Sequence, residues 1–179
     1  MAMKKLLSAE QVEVAVNRLY KAVVEQLPPD ARIAVIGIRT RGETLASRLV
    51  TRLEMDQADR RIEHGVLDIT FYRDDLSRQR GAPMVRATEI DFDLDDTWTL
   101  LVDDVIQTGR SIRAALDALH DFGRPRLVRL AVLIDRGGRE LPISPDFVGK
   151  KVDAPADRRV QVRLKENDGK EGVYIITKD

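Results

Sequence analysis

The chain is 179 residues long, balances 30 Lys plus Arg against 30 Asp plus Glu, and contains no cysteine. That length fits one α/β domain with a sizeable core, and zero net charge supplies no global positive field to recruit nucleic acid. Disulfides, thiol nucleophiles and cysteine-ligated zinc are excluded outright.

The start, Met1-Ala2-Met3-Lys4-Lys5, is basic but runs into polar sequence instead of an apolar signal core, and no apolar run is long enough to cross a bilayer. A soluble, cytoplasmic protein is expected. Ser8 with Gln11 three residues on has the form of a capping box. Val12, Val16, Leu19 and Val23 then trace one face of a helix that ends before Pro28-Pro29, and Asn17, Arg18 and Lys21 lie on its other face. That face reads as solvated or as a binding surface.

Residues 32–38 are a buried-strand pattern, followed by Arg39-Thr40-Arg41-Gly42 and a helix through Leu45, Leu49 and Leu53. The intervening loop can bind an anion, with Thr40 and backbone amides donating and Arg41 supplying charge, or it can simply cap the helix. Residues 64–72 alternate as a further strand, and 73–87 turn polar over a length that is usually functional or disordered. The acidic run 91–96 lacks the spacing and glycine of a calcium loop and reads as a solvated connection. His64 and His120 lie far apart without companion ligands, so neither is given a role.

Residues 97–102 are apolar and rich in branched side chains, and 111–122 repeat apolar residues at helical spacing. Between them stand Asp103, Asp104, Val105, Ile106, Gln107, Thr108, Gly109, Arg110 and Ser111. A helix that starts near Ser111 leaves backbone N–H groups unpaired in its first turn, so Thr108 to Ser111 can cup a phosphate, with Gly109 allowing close approach. Carboxylates facing a phosphate would repel it, so Asp103 and Asp104 suit neutral hydroxyls such as those of ribose. Taken separately, an Asp-Asp pair also fits a magnesium site, and a Thr-Gly pair a plain turn and cap.

Residues 126–134 form another strand and end in a polar loop, Asp135-Arg136-Gly137-Gly138-Arg139-Glu140-Leu141-Pro142, at a strand terminus where open parallel sheets bind ligands. Val160, Val162 and Leu164 alternate, as do Val173, Ile175 and Thr177 after turn residues at 167–170, which predicts a C-terminal β-hairpin. No internal repeat or second-domain linker interrupts the chain, so residues 1–179 are read as a single domain.

The segment from Val102 to Ser111 resembles the phosphoribosyl pyrophosphate (PRPP) motif of type I phosphoribosyltransferases. Further stretches, 37–42, 67–76 and 135–143 with 146–150, resemble one family in that class, the pyrimidine operon attenuation regulators (PyrR), which are also uracil phosphoribosyltransferases. The resemblance implies a type I phosphoribosyltransferase fold, with a mainly parallel central sheet flanked by helices and a small hood beside the carboxyl ends of the strands. It implies the reaction of uracil with PRPP to give UMP and pyrophosphate, with Mg²⁺ held mainly through PRPP.

In that reading Asp103 and Asp104 hold the ribose hydroxyls and Thr108 to Ser111 the 5′-phosphate, while Thr40, Arg41 and Gly42 take the pyrophosphate. Asp103, Asp104 and Arg41 are the expected catalytic groups. Residues 72–86 would form a mobile cover with Arg86 contacting phosphate, and Arg136 and Val160 would lie beside the base. Departures from the family pattern occur at Gln107, where an aromatic residue is usual, at Gly138, where histidine is usual, and at 151–156. A purine base is therefore a competing substrate. Regulation would bind a pyrimidine-operon mRNA leader through a basic surface that includes Arg18 and Lys21, and self-association to a dimer or higher oligomer is expected; the alternative is an enzyme with no RNA role.

Overall fold

The computed structural model describes residues 3–74 and 87–177. Five parallel strands form the central sheet: β2 (Ile33–Ile38), β3 (Ile62–Leu67), β4 (Trp98–Ile106), β5 (Leu127–Asp135) and β6 (Phe147–Lys151), in the order β3-β2-β4-β5-β6. The strands alternate between two cores, as a sheet covered on both faces requires. Ile33, Val35, Leu100, Val102, Ala131 and Leu133 pack with α1 (Ala9–Gln26) and α2 (Arg41–Asp56) on one face. Ala34, Ile36, Leu101, Leu130 and Val132 pack with α3 (Arg110–Leu119) on the other.

The predicted helix face is the buried one: Val12, Val16, Leu19 and Val23 are all inside. Its capping box forms, with Gln11 N–H donating to Ser8 Oγ at 3.3 Å and Ser8 N–H to Gln11 Oε1 at 2.9 Å. A second sheet, antiparallel, joins β1 (Met3–Leu7), β8 (Gly172–Thr177) and β7 (Arg158–Arg163) in the order β1-β8-β7, with the short helix α4 (Lys165–Asp168) in the β7–β8 connection. The predicted hairpin is thus two strands of a three-stranded hood.

Three readings need correction. The polar start is the strand β1, whose Lys4 and Lys5 are exposed at a sheet edge, where charge discourages further pairing. The strand expected over 64–72 stops at Leu67, because Asp68 Oδ1 accepts from both the N–H and Oγ1 of Thr70 and folds 70–72 into a 3-10 turn. The strand expected to end at Val102 continues to Ile106, so both carboxylates lie within β4.

The acidic run is the solvated connection expected, with Asp91, Asp93, Asp95 and Asp96 all exposed, and it is anchored from within. Leu94 is fully buried, Asp95 Oδ1 accepts from Arg124 N–H at 2.6 Å, and Arg32 donates to the carbonyls of Asp93 and Asp95. Gly123 (φ 124°) packs against this turn so closely that a Cβ would sit 2.6 Å from Asp93 Oδ1.

Candidate active site

Strands β2 and β4 are neighbours in the sheet, and β4 pairs with β5, so the loops at their carboxyl ends meet. They enclose a cleft of about 820 Å³, walled on its far side by hood residues 159–162. Thr40, Arg41, Asp103, Asp104, Val105, Ile106, Gln107, Thr108, Gly109, Ser111, Arg136 and Val160 all line it. Gly42 and Arg110 do not, and Arg86 lies outside the described residues, as does the expected cover from residue 75 onward.

Gly42 also serves packing. A Cβ there would lie 2.5 Å from the Val102 carbonyl oxygen, so its absence lets α2 press onto β4. The Arg110 side chain is turned outward, with Nη1 on Asp74 at 2.6 Å and Nε on Glu140 at 2.7 Å; its backbone N–H donates to Thr108 Oγ1 at 3.3 Å.

The helices facing the cleft differ from α1 at their first turns. The capping residue of α2, Thr40, makes no side-chain capping bond, and α3 is capped by Gly109, which has no side chain to offer. Apart from the Arg110 N–H, which is bonded to Thr108 Oγ1, their first-turn N–H groups receive no side-chain cap and, with the helix dipole behind them, suit an anion. Gly109 adopts φ 89°, a conformation costly for other residues, and Ile143 Cβ would lie 3.3 Å from an added Cβ.

The phosphate-type loop is gripped from outside by the segment after β5. The carbonyl of Ile106 accepts from Arg136 N–H, that of Gln107 from Arg139 Nη1 at 2.9 Å, and that of Thr108 from the N–H groups of Glu140 and Leu141. Across a planar trans peptide C=O and N–H point opposite ways. The amides of Gln107, Thr108 and Gly109 are therefore directed away from that segment, an arrangement of successive N–H groups suited to an anion.

Burial and the Asp104 charge push the Asp103 carboxyl well above the usual carboxylate range, and burial raises Asp104 less, because Arg41 opposes it. Each carboxylate also accepts the N–H of the following residue at 2.9 Å. Desolvated like charges one residue apart favour sharing a proton until donors arrive.

Arg41 donates from Nε and Nη2 to Asp168 of the hood at 3.0 and 2.6 Å. Arg136 lines the cleft, but its Nη atoms donate to the carbonyls of Arg158, Ala154 and Pro155, tying β5 to the stretch that leads into β7. On α1, Arg18 reaches the Gly149 carbonyl at 3.4 Å while remaining largely exposed, and Lys21 is exposed. Sequence reasoning missed Asp68 and placed Arg73 only within the expected cover; both line the cleft, and Arg73 lowers the Asp103 carboxyl. A strand drawn through to Tyr72 hid the turn that brings them there.

No helix among the described residues is long and apolar enough to cross a membrane. In fold, the chain is similar to a hypoxanthine-guanine phosphoribosyltransferase from Bacillus anthracis (TM-score 0.70, 14% identity, 97% and 98% of the two chains covered). It is equally similar to the hypoxanthine phosphoribosyltransferase of Trypanosoma cruzi (TM-score 0.70, 15% identity, 98% and 95% covered).

In sequence, residues 2–165 match the phosphoribosyl transferase domain. The bifunctional protein PyrR of Roseiflexus sp. is 50% identical over 178 residues, covering 98% of this chain and 96% of that protein. The protein of the same name from Deinococcus radiodurans is 46% identical, covering 96% and 93%. With the PRPP-type loop, the Asp pair and the hood in place, the chain belongs to the phosphoribosyl transferase domain family and, within it, to the bifunctional PyrR proteins.

Proposed function

We propose that the chain, acting as a single domain, transfers the phosphoribosyl group of PRPP to uracil, giving UMP and pyrophosphate. We also propose that it regulates a pyrimidine operon by binding the mRNA leader in response to uridine nucleotides. The observation that carries the first part is the meeting of the Arg41 loop, the Asp103-Asp104 pair and the Thr108 loop in one cleft.

Displacement at the anomeric carbon breaks its bond to pyrophosphate, forms one to uracil N1 and releases the N1 proton. Positive charge grows on the ribose and negative charge on the leaving group. Asp103 and Asp104 accept the ribose hydroxyls, the amides of 107–109 and the α3 first turn hold the 5′-phosphate, and Thr40 and Arg41 face the pyrophosphate. Arg136 and Val160 border the base, and Arg86 is expected on a phosphate. No protein nucleophile is needed; the residues act by orientation and electrostatics.

No three His, Cys, Asp or Glu side chains converge among the described residues. The Asp103-Asp104 carboxylates, hard oxygen donors, fit a Mg²⁺ ion whose other oxygens would come from polyphosphate and water. Such an ion would neutralise charge on the departing pyrophosphate.

Arg18 and Lys21 on the outer face of α1 support RNA binding, which would be electrostatic and salt-dependent. A cytoplasmic location and self-association are expected with this role. Gln107 favours a second base reading: it lines the cleft, its Nε2 lies 3.9 Å from where a Gly138 Cβ would be, and a carboxamide can donate and accept toward a purine edge.

The test is turnover with PRPP and Mg²⁺ against uracil, guanine and hypoxanthine, beside binding of a pyrimidine-operon leader with and without UMP. Uracil turnover and UMP-dependent leader binding are expected. Absence of turnover with every base defeats the enzyme, turnover only with a purine moves the substrate, and leader binding indifferent to UMP defeats the regulator.

A further inference from the structure

The Arg41 guanidinium is bonded to one acid, Asp168, and feels the charge of a second, Asp104. Its Nε and one Nη2 hydrogen go to Asp168 as a two-point fork, at 3.0 and 2.6 Å. Asp104 acts on it through charge, and Arg41 in turn lowers the Asp104 carboxyl. With that edge of the fork occupied, the Nη1 amine and the remaining Nη2 hydrogen are left for the cleft that Arg41 lines.

Asp168 is itself fixed. Its Oδ2 accepts the Leu164 N–H at 2.9 Å, and α4 is docked on α2 by parallel contacts that do not involve Arg41: Arg48 to Glu166 and Glu171, and Thr44 to Asn167. The side chains of Arg41 and Asp168 are only 26% and 17% exposed, so the pair is held in one geometry. Without Asp168, the strongest neighbouring anion for Arg41 is Asp104. A guanidinium collapsed onto Asp104 would occupy a carboxylate needed for ribose and withdraw charge from the pyrophosphate.

We infer that Asp168 is a positioning residue that holds Arg41 off Asp104 and aims its free edge at the pyrophosphate of PRPP. This inference rests on the phosphoribosyl-transfer reading above. Because Asp168 acts through Arg41, its loss should matter only for ligands that carry pyrophosphate, and only while Arg41 is present.

Calorimetric titration of Mg·PRPP, inorganic pyrophosphate and UMP tests this in the intact protein. Asp168→Asn should weaken PRPP and pyrophosphate about tenfold, the scale of one charge-assisted hydrogen bond, and leave UMP within about twofold. Asp168→Glu, which keeps the charge, should recover part of the loss. In an Arg41→Ala background Asp168→Asn should add nothing further. Arg48→Met, which removes the parallel contacts to Glu166 and Glu171, should change PRPP binding by less than about twofold.

Equal weakening of UMP and PRPP, full additivity with Arg41→Ala, or an Arg48→Met effect as large as that of Asp168→Asn would each reduce Asp168 to a hood-docking group and overturn the inference. A wild-type protein that binds PRPP while Asp168→Asn binds it equally well overturns this inference alone. A wild type that binds no PRPP overturns the transferase reading and this inference with it.

Discussion

Asp103 sits only 7% exposed in β4 with Asp104 beside it, and burial with that neighbouring charge raises its carboxyl. A carboxyl whose folded pKa exceeds its unfolded value of about 3.9 binds more protons folded than unfolded between those two values. Its contribution to stability is therefore complete below the unfolded pKa and is lost as pH rises through the folded one. Asp103→Asn removes the titration while its Oδ1 can still accept the Asp104 N–H. The variant should gain stability over the wild type at pH 7.5 and show little difference at pH 4, read by urea unfolding, while its PRPP affinity falls at neutral pH. A wild type and variant with parallel stability profiles would show that the carboxyl is ionised in the free protein without penalty. Gly42 presents the opposite case, where function is indirect: Gly42→Ala drives a Cβ to 2.5 Å from the Val102 carbonyl, an overpacking expected to cost about 2–3 kcal/mol in denaturant unfolding.

At the scale of elements, the segment 135–143 is a brace for the loop 106–109, proposed above to hold the 5′-phosphate, and Arg139 is its centre. Its guanidinium joins Asp135 at 2.9 Å, the Gln107 carbonyl at 2.9 Å and the Ile143 carbonyl at 2.9 Å. Arg139→Met should raise the KM of PRPP and weaken UMP alike by about tenfold, since both carry the 5′-phosphate, in contrast to the pyrophosphate-selective effect expected at Asp168. PRPP weakened with UMP untouched would contradict the brace. The phosphate loop was legible in the sequence because strand, carboxylates, glycine and helix are contiguous and each has a local pattern. The Arg41 loop was legible for the same reason. The hood was only half legible: β7 and β8 alternate and share a turn, but β1 finds its partner at the opposite end of the chain, and Met3-Lys4-Lys5-Leu6-Leu7 carries no period that betrays it. The partners of Arg41 and Arg136 were illegible, because both are set by where the hood lands.

At the scale of the whole molecule, the cleft is made by two bodies that share few covalent links, the parallel sheet and the hood. Arg136, Arg41 and Arg48 bridge them, from β5 and α2 to residues 154–171. A ligand that spans Thr108, Asp104 and Arg41 while touching hood residues 159–162 must tie both bodies further together. Binding at one hundred times Kd stabilises the folded state by about 2.7 kcal/mol, and a domain of this size shifts about 2–4 °C per kcal/mol. Saturating Mg·PRPP should therefore raise the melting temperature by about 5–10 °C. Because the bridges converge on the hood, amide exchange in β7 should slow more than in β3, which lies on the far edge of the sheet. A thermal shift without added protection in β7 would mean that the sheet alone holds the ligand, and that the hood's contacts with Arg41 and Arg136 belong to the free protein only.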